Sequence, residues 1–203
     1  MSAYSFTPDE SDLLSRKPRL GTLTVGEKIA EADLLKQQGN LYFKAGLFKK
    51  ANQHYVKIFL YVNGLSVAGD GMSSYAKGAA NASASESEGV AITQLKVAAH
   101  SNMAMCHLKL DNPDKAIEQA DKVLAIAPGH VKALLRKAQA YRQKGKYALA
   151  KDLLREALVV EPKNAVLRSE LKQVLEDAQL HPEVDEMKAK MTNMFNKAGG
   201  IYK

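Results

Sequence analysis

The sequence predicts an all-α fold: three helix-turn-helix hairpins stacked in series, a closing helix, a C-terminal helix, and a right-handed superhelical path. Two observations carry this. Val97 to Pro128 lays over Val131 to Pro162 with Ala104 on Ala138, Ala116 on Ala150 and Pro128 on Pro162, each pair 34 residues apart. A third copy lies upstream, from Ala32 to Tyr61, with Leu35, Gly39, Tyr42 and Ala51 at the matching marks. A fixed period of this length is the signature of a helical array in which each hairpin buries its apolar face on its neighbours.

Taken in order, residues 1–26 contain Pro8 and Pro18 and show no clear hydrophobic period, so a flexible tail is expected. The repeat domain is expected over 27–180. In its first hairpin, and in the two that follow, Gly39, Ala51, Ala104, Ala116, Ala138 and Ala150 allow the paired helices to approach closely. Pro128 and Pro162 follow the second helices of their hairpins, where a ring without an N–H stops further winding. Ala51 and Ala116 are 65 residues apart, 31 more than one period, so an insertion separates the first two hairpins. Residues 63–89, NGLSVAGDGMSSYAKGAANASASESEG, supply it. Rich in Gly, Ala and Ser, they read as a mobile loop, with the preceding helix running into its start. After Pro162, Val166, Leu167, Leu171, Val174 and Leu175 recur at helical spacing, and this helix would cover the open end of the stack. His181-Pro182 breaks it. In the extension 181–203, Val184, Met187, Met191, Met194 and Phe195 form a further stripe. With Lys188, Lys190 and Lys197 it fits docking on calmodulin, or packing on the preceding helix. A 34-residue helix-turn-helix unit has the length of a tetratricopeptide repeat.

Composition agrees with a folded domain. Apolar residues make up 46% and charged residues 25% of 203 positions, and a chain of this length buries roughly 70% of its unfolded surface. The single Cys106 excludes an internal disulfide framework and suits a reducing compartment. The longest apolar stretches, such as Ile58 to Val62, are too short to span a bilayer. The first ten residues lack a basic region followed by an apolar one, so no signal peptide is expected. The expected location is the cytoplasm, with nuclear entry open. Lys and Arg number 29 against 22 Asp and Glu, a net charge of +7. The basic residues are spread at helical intervals beside acids, with no dense run. Neither nucleic acid nor a membrane is therefore an expected partner.

In such a stack the first helix of each hairpin lines the concave side, where extended partners bind. Lys36 and Asn40 are four residues apart on the first, Asn102 lies on the second, and Lys132 and Arg136 are four apart on the third. Lys132 and Arg136 repel each other by roughly 0.2–0.5 kcal/mol at this spacing. A bound anion reverses that sign. Three cations and two amides suit a ligand with two carboxylates: Lys supplies a mobile point charge, Arg a planar two-pronged donor, and Asn both an N–H and a carbonyl.

These residues resemble the carboxylate-clamp tetratricopeptide domain of chaperone adaptors. LLKQQGNLYFKAGLFKKA is similar to that family's first repeat, HSNMAMCHLKL to its second and VKALLRKAQAY to its third, with all five residues at the clamp positions. NMAMCHLKL, the connection beginning GLS and the tail KMTNMF are similar to the repeat region of large immunophilins. The resemblance implies a co-chaperone that binds the Glu-Glu-Val-Asp tails of heat-shock chaperones of the ninety- and seventy-kilodalton classes. By the same resemblance, Lys36, Asn40, Asn102 and Lys132 grip the carboxylates of the last aspartate. Arg136 reaches groups further in, and Met105 supports a pocket for the valine. His100 and His107 stand where many repeats carry an aromatic residue.

Immunophilins carry an isomerase domain ahead of the repeats, and about 26 residues here are too few for one. No isomerase activity, cofactor or metal is expected. The five His show no metal-ligand spacing, and His100 and His107 read as core or groove-edge residues. Cys106 reads as a buried thiol, and GDG at 69–71 is a lone glycine pair. No Ser/His/Asp arrangement, phosphate loop or CxxC occurs. The alternative function is a scaffold whose groove holds an internal segment of a non-chaperone partner.

Overall fold

In a computed structural model, residues 4–67, 83–181 and Met194 are described. They form helices α1 (Pro8–Ser15), α2 (Val25–Lys44), α3 (Phe48–Val62), α4 (Glu86–Lys109), α5 (Pro113–Ile126), α6 (Val131–Gln143), α7 (Tyr147–Val160) and α8 (Ala165–Leu180). A two-residue parallel pair, β1 (Ser66–Val67) with β2 (Ser83–Ala84), aligns Ser66 with Ser83 and Val67 with Ala84. The chain divides into two compact units, Met1–Pro128 and Gly129–Lys203.

In the first unit, α2 pairs with α3 and α4 with α5, and α4 also packs on both α2 and α3. Helix starts follow local chemistry. Thr24 and Glu27, and again Ser85 and Glu88, form reciprocal caps in which each side chain accepts the other's backbone N–H. The core gathers Leu35, Tyr55, Ile58, Val62, Ile92, Leu95, Ala99 and Cys106. Gly39 has a packing reason to lack a side chain: a Cβ there would sit 2.6 Å from Cε1 of the buried Tyr55 ring.

In the second unit, α6 pairs with α7, and α7 with α8. Ala138, Ala150 and Ala157 are fully buried, with Leu154, Leu167 and Val174 beside them. Arg142 of α6 reaches α8, donating to Asp177 at 2.6 Å and to Glu170 at 3.0 Å. Asn164 caps α8 by accepting the N–H groups of Val166 and Leu167. Of the stripe expected to cover the stack, Leu167 and Val174 are buried, whereas Val166 and Leu175 face solvent.

The three hairpin turns share one device. Gly46, Asp111 and Gly145 hold φ of 74°, 54° and 69°, and Asp111 and Gly145 are one period apart. Each reverses the chain in the left-handed region, which Gly enters freely and Asp tolerates.

Two expectations are revised. Residues 1–26 are not a bare tail, since they contain α1, and the segment is fastened to the first hairpin. Gln38 donates to the carbonyls of Leu13 (2.8 Å) and Arg16 (2.7 Å), and the Tyr61 hydroxyl donates to the carbonyl of Arg19 (2.8 Å). Arg19 also pairs with the buried Glu31 at 2.6 Å. The insertion is shorter than 63–89, because α4 starts at Glu86 and the strand pair occupies part of the remainder. Residues 68–82 lie outside the described residues. So does the extension 181–203 apart from His181 and Met194, and with it the stripe read as a calmodulin-binding or packing surface.

Candidate functional site

Within the first unit, Lys36 and Asn40 sit on α2, one turn apart, and Asn102 and Met105 on α4. The packing of α4 against α2 brings the two amides together: Asn102 Nδ2 donates to Asn40 Oδ1 at 3.3 Å. Beneath them the Tyr55 hydroxyl donates to the same oxygen at 2.8 Å. Tyr55 is only 1% exposed, while Asn40 is exposed and Asn102 half-buried. Met105 lies one turn past Asn102 and is half-buried.

Lys36 has an acidic neighbour. Its Nζ pairs with Asp33 Oδ1, one turn back on α2, and Gln37 donates to the other carboxylate oxygen. Partial burial works to raise the Asp33 carboxyl. The hydrogen bonds from Lys36 and Gln37 outweigh it and hold Asp33 below the usual carboxylate value.

Within the second unit, Lys132 is exposed and Arg136 half-buried, both on α6. His130 caps this helix, its Nδ1 accepting the N–H of Ala133 at 3.1 Å. Burial, followed by the charges of Arg136 and Lys132, lowers His130 below its usual value. The imidazole is thereby kept neutral, as an acceptor nitrogen must be.

Of the residues singled out in the sequence, Asn40 and Asn102 are thus in contact across two hairpins, and Lys36 and Met105 flank them one turn away. Lys132 and Arg136 share α6. Tyr55, Asp33 and His130 were missed. Asp33 was readable as an acid three residues before Lys36, whereas the Tyr55 contact depends on the packing of α3 under α2.

Two further histidines, His100 and His107, and the thiol of Cys106 lie on α4. His100 Nδ1 is 2.8 Å from Gln119 Oε1, and its ring lies on Phe59 with centroids 4.5 Å apart. His107 is 9% exposed, and its buried Nδ1 has no hydrogen-bond partner. Cys106 is a buried thiol. Among the described residues, no group of three or more His, Cys, Asp or Glu is placed to hold a metal ion, and no helix is long and apolar enough to cross a membrane.

Comparison with known proteins bears on the repeats that carry these residues. Residues 95–159 match the tetratricopeptide repeat family model. The peptidyl-prolyl cis-trans isomerase FKBP4 of Bos taurus is 28% identical over 171 residues, which cover 84% of this chain and 33% of that protein. The chain therefore spans about a third of the length of this curated relative. The Hsp90 co-chaperone Cns1 from Saccharomyces cerevisiae superposes with a TM-score of 0.58 at 25% identity, covering 86% of this chain and 46% of that one. The first tetratricopeptide domain of Spaghetti (RPAP3), solved with the HSP90 peptide SRMEEVD, has the same fold, with a TM-score of 0.53 at 21% identity. That match covers 71% of this chain and 93% of that one. The chain carries a tetratricopeptide repeat domain similar to those of FKBP4-type immunophilins and Hsp90 co-chaperones.

Proposed function

We propose that this domain is a non-catalytic co-chaperone module that binds the Glu-Glu-Val-Asp tail of cytosolic ninety- and seventy-class heat-shock chaperones through a two-carboxylate clamp. Lys36, Asn40, Asn102, Lys132 and Arg136 form the clamp, and Met105 supports the valine pocket. The observation that carries the reading is the meeting of Asn40 and Asn102. Two amides 62 residues apart in sequence share a hydrogen bond at an accessible edge, flanked on α2 by a cation. The likeness to a repeat domain solved with an acidic peptide of this ending adds to it. Lys36, Lys132 and Arg136 supply the charge that a doubly anionic chain end requires.

Calorimetric titration with a Glu-Glu-Val-Asp peptide tests the reading. The free-ended peptide should bind, and amidation of its terminal carboxylate should weaken binding at least tenfold, since a charge-assisted contact contributes about 1.5–3 kcal/mol. Equal binding of the two peptides would favour a groove for internal segments instead.

Asp33 gives a second expectation. It holds Lys36 in the free chain and adds a negative charge beside an anionic ligand. Asp33→Asn should therefore tighten binding about two- to fivefold, the scale of a partly exposed ion pair. Weaker binding in the same titration would mean that Asp33 serves to aim Lys36.

A further inference from the structure

We infer that Tyr55 is a positioning residue of this site, whose buried hydroxyl fixes which end of the Asn40 amide faces the ligand. The inference rests on the clamp reading and deepens it.

An asparagine amide offers a carbonyl oxygen with two acceptor positions and a nitrogen with two donor hydrogens. Which end points outward is decided by the surrounding hydrogen bonds. Asn40 Oδ1 accepts from the Tyr55 hydroxyl at 2.8 Å and from Asn102 Nδ2 at 3.3 Å. Both acceptor positions are filled, so the group Asn40 has to offer a ligand is its donor Nδ2. A carboxylate only accepts, and matches it. The N–H of an internal peptide bond does not.

Of the two bonds, the one from Tyr55 is shorter and comes from a side chain with little freedom. Tyr55 is 1% exposed. Its ring lies under Gly39, where even a Cβ would be 2.6 Å from Cε1 and 3.0 Å from Cζ. Gly39 immediately precedes Asn40 on α2. The glycine admits the ring, the ring carries the hydroxyl to Oδ1, and the hydroxyl sets the amide. Without it, Asn40 keeps only the longer bond from Asn102. The amide can then turn its oxygen toward the ligand, where it repels a carboxylate.

The test is a four-way comparison of the intact chain, Tyr55→Phe, Asn40→Ala and the double variant. Each is titrated with a Glu-Glu-Val-Asp peptide bearing a free or an amidated end. Tyr55→Phe should weaken binding of the free-ended peptide about three- to tenfold, the scale of one hydrogen bond. It should also reduce discrimination against the amidated peptide. Added to Asn40→Ala, it should weaken binding no further, because it acts through Asn40. Normal binding by Tyr55→Phe, with Asn40→Ala impaired, would overturn the inference and leave the clamp standing. An equal loss in both backgrounds would also overturn it, assigning Tyr55 to packing. An intact chain that does not bind, or an Asn40→Ala variant that binds normally, would overturn the clamp and this inference with it. A measurement on the unaltered chain guards against a variant that does not fold. The Asn40 Nδ2 proton resonances should shift when the free-ended peptide is added, and unmoved resonances would contradict the assignment.

Discussion

Replacing Lys132 and Arg136 together with alanine is expected to abolish binding of the Glu-Glu-Val-Asp peptide, with a loss on the order of a hundredfold or more. In the proposed clamp each would supply a hydrogen bond to an ionised partner, and such bonds contribute about 1.5–3 kcal/mol apiece. Tenfold in affinity corresponds to about 1.4 kcal/mol. The fold should be spared. Lys132 is exposed and Arg136 half-buried, and removing two like charges four apart on α6 relieves a repulsion of a few tenths of a kcal/mol. Calorimetry together with circular dichroism checks both halves. Lost binding with unchanged helix content supports the assignment, and retained binding contradicts it.

The second large effect falls on stability. Gly39→Val should lower unfolding free energy by about 2–3 kcal/mol, the upper part of the usual range for overpacking. Glycine inside a helix ordinarily costs about 1 kcal/mol relative to alanine, so propensity alone predicts a gain. Geometry reverses that sign. A Cβ at this position lies 2.6, 2.9 and 3.0 Å from three atoms of the Tyr55 ring. Tyr55 is buried among Leu35, Ala51 and Ile58 and has nowhere to retreat. Urea denaturation measures the change. A variant as stable as the unaltered chain would show that the ring is not held there. Because the same ring carries the hydroxyl bonded to Asn40, peptide affinity should fall along with stability.

The hairpins were legible because their signals are local and periodic. Ala104 and Ala138, and Ala116 and Ala150, recur at the repeat length, and all four are fully buried. A large residue there would hold two helices apart, so the small residue and its spacing are visible in the letters themselves. The N-terminal helix was not legible. Its eight residues are too few to show a period, and the groups that fasten the segment, Gln38, Glu31 and Tyr61, lie 12 to 42 residues further on. The start of α4 was missed for a related reason. Ser85 and Glu88 carry a capping signature, but it sits inside a run of small residues that reads as loop by composition.

The candidate site divides in the same way. Its five polar residues all lie on the first helices of their hairpins, but only Asn102 and Arg136 are a full period apart, so the resemblance to the clamp family and not the alignment of the hairpins selected them. The groups that prepare them were hidden. Tyr55 looks from sequence like another core aromatic. Its hydroxyl reaches Asn40 only because α3 crosses under α2 at Gly39. His130 looks like a loop residue and instead caps α6 beside Lys132 and Arg136.

The central claim is that one acidic chain end is held at once by side chains from three hairpins. Nuclear magnetic resonance titration of the isotope-labelled chain with a Glu-Glu-Val-Asp peptide tests this most directly. The side-chain resonances of Lys36, Asn40, Asn102, Lys132 and Arg136 should all shift along a single binding curve. Shifts confined to one hairpin, or curves with different midpoints for α2, α4 and α6, would contradict it.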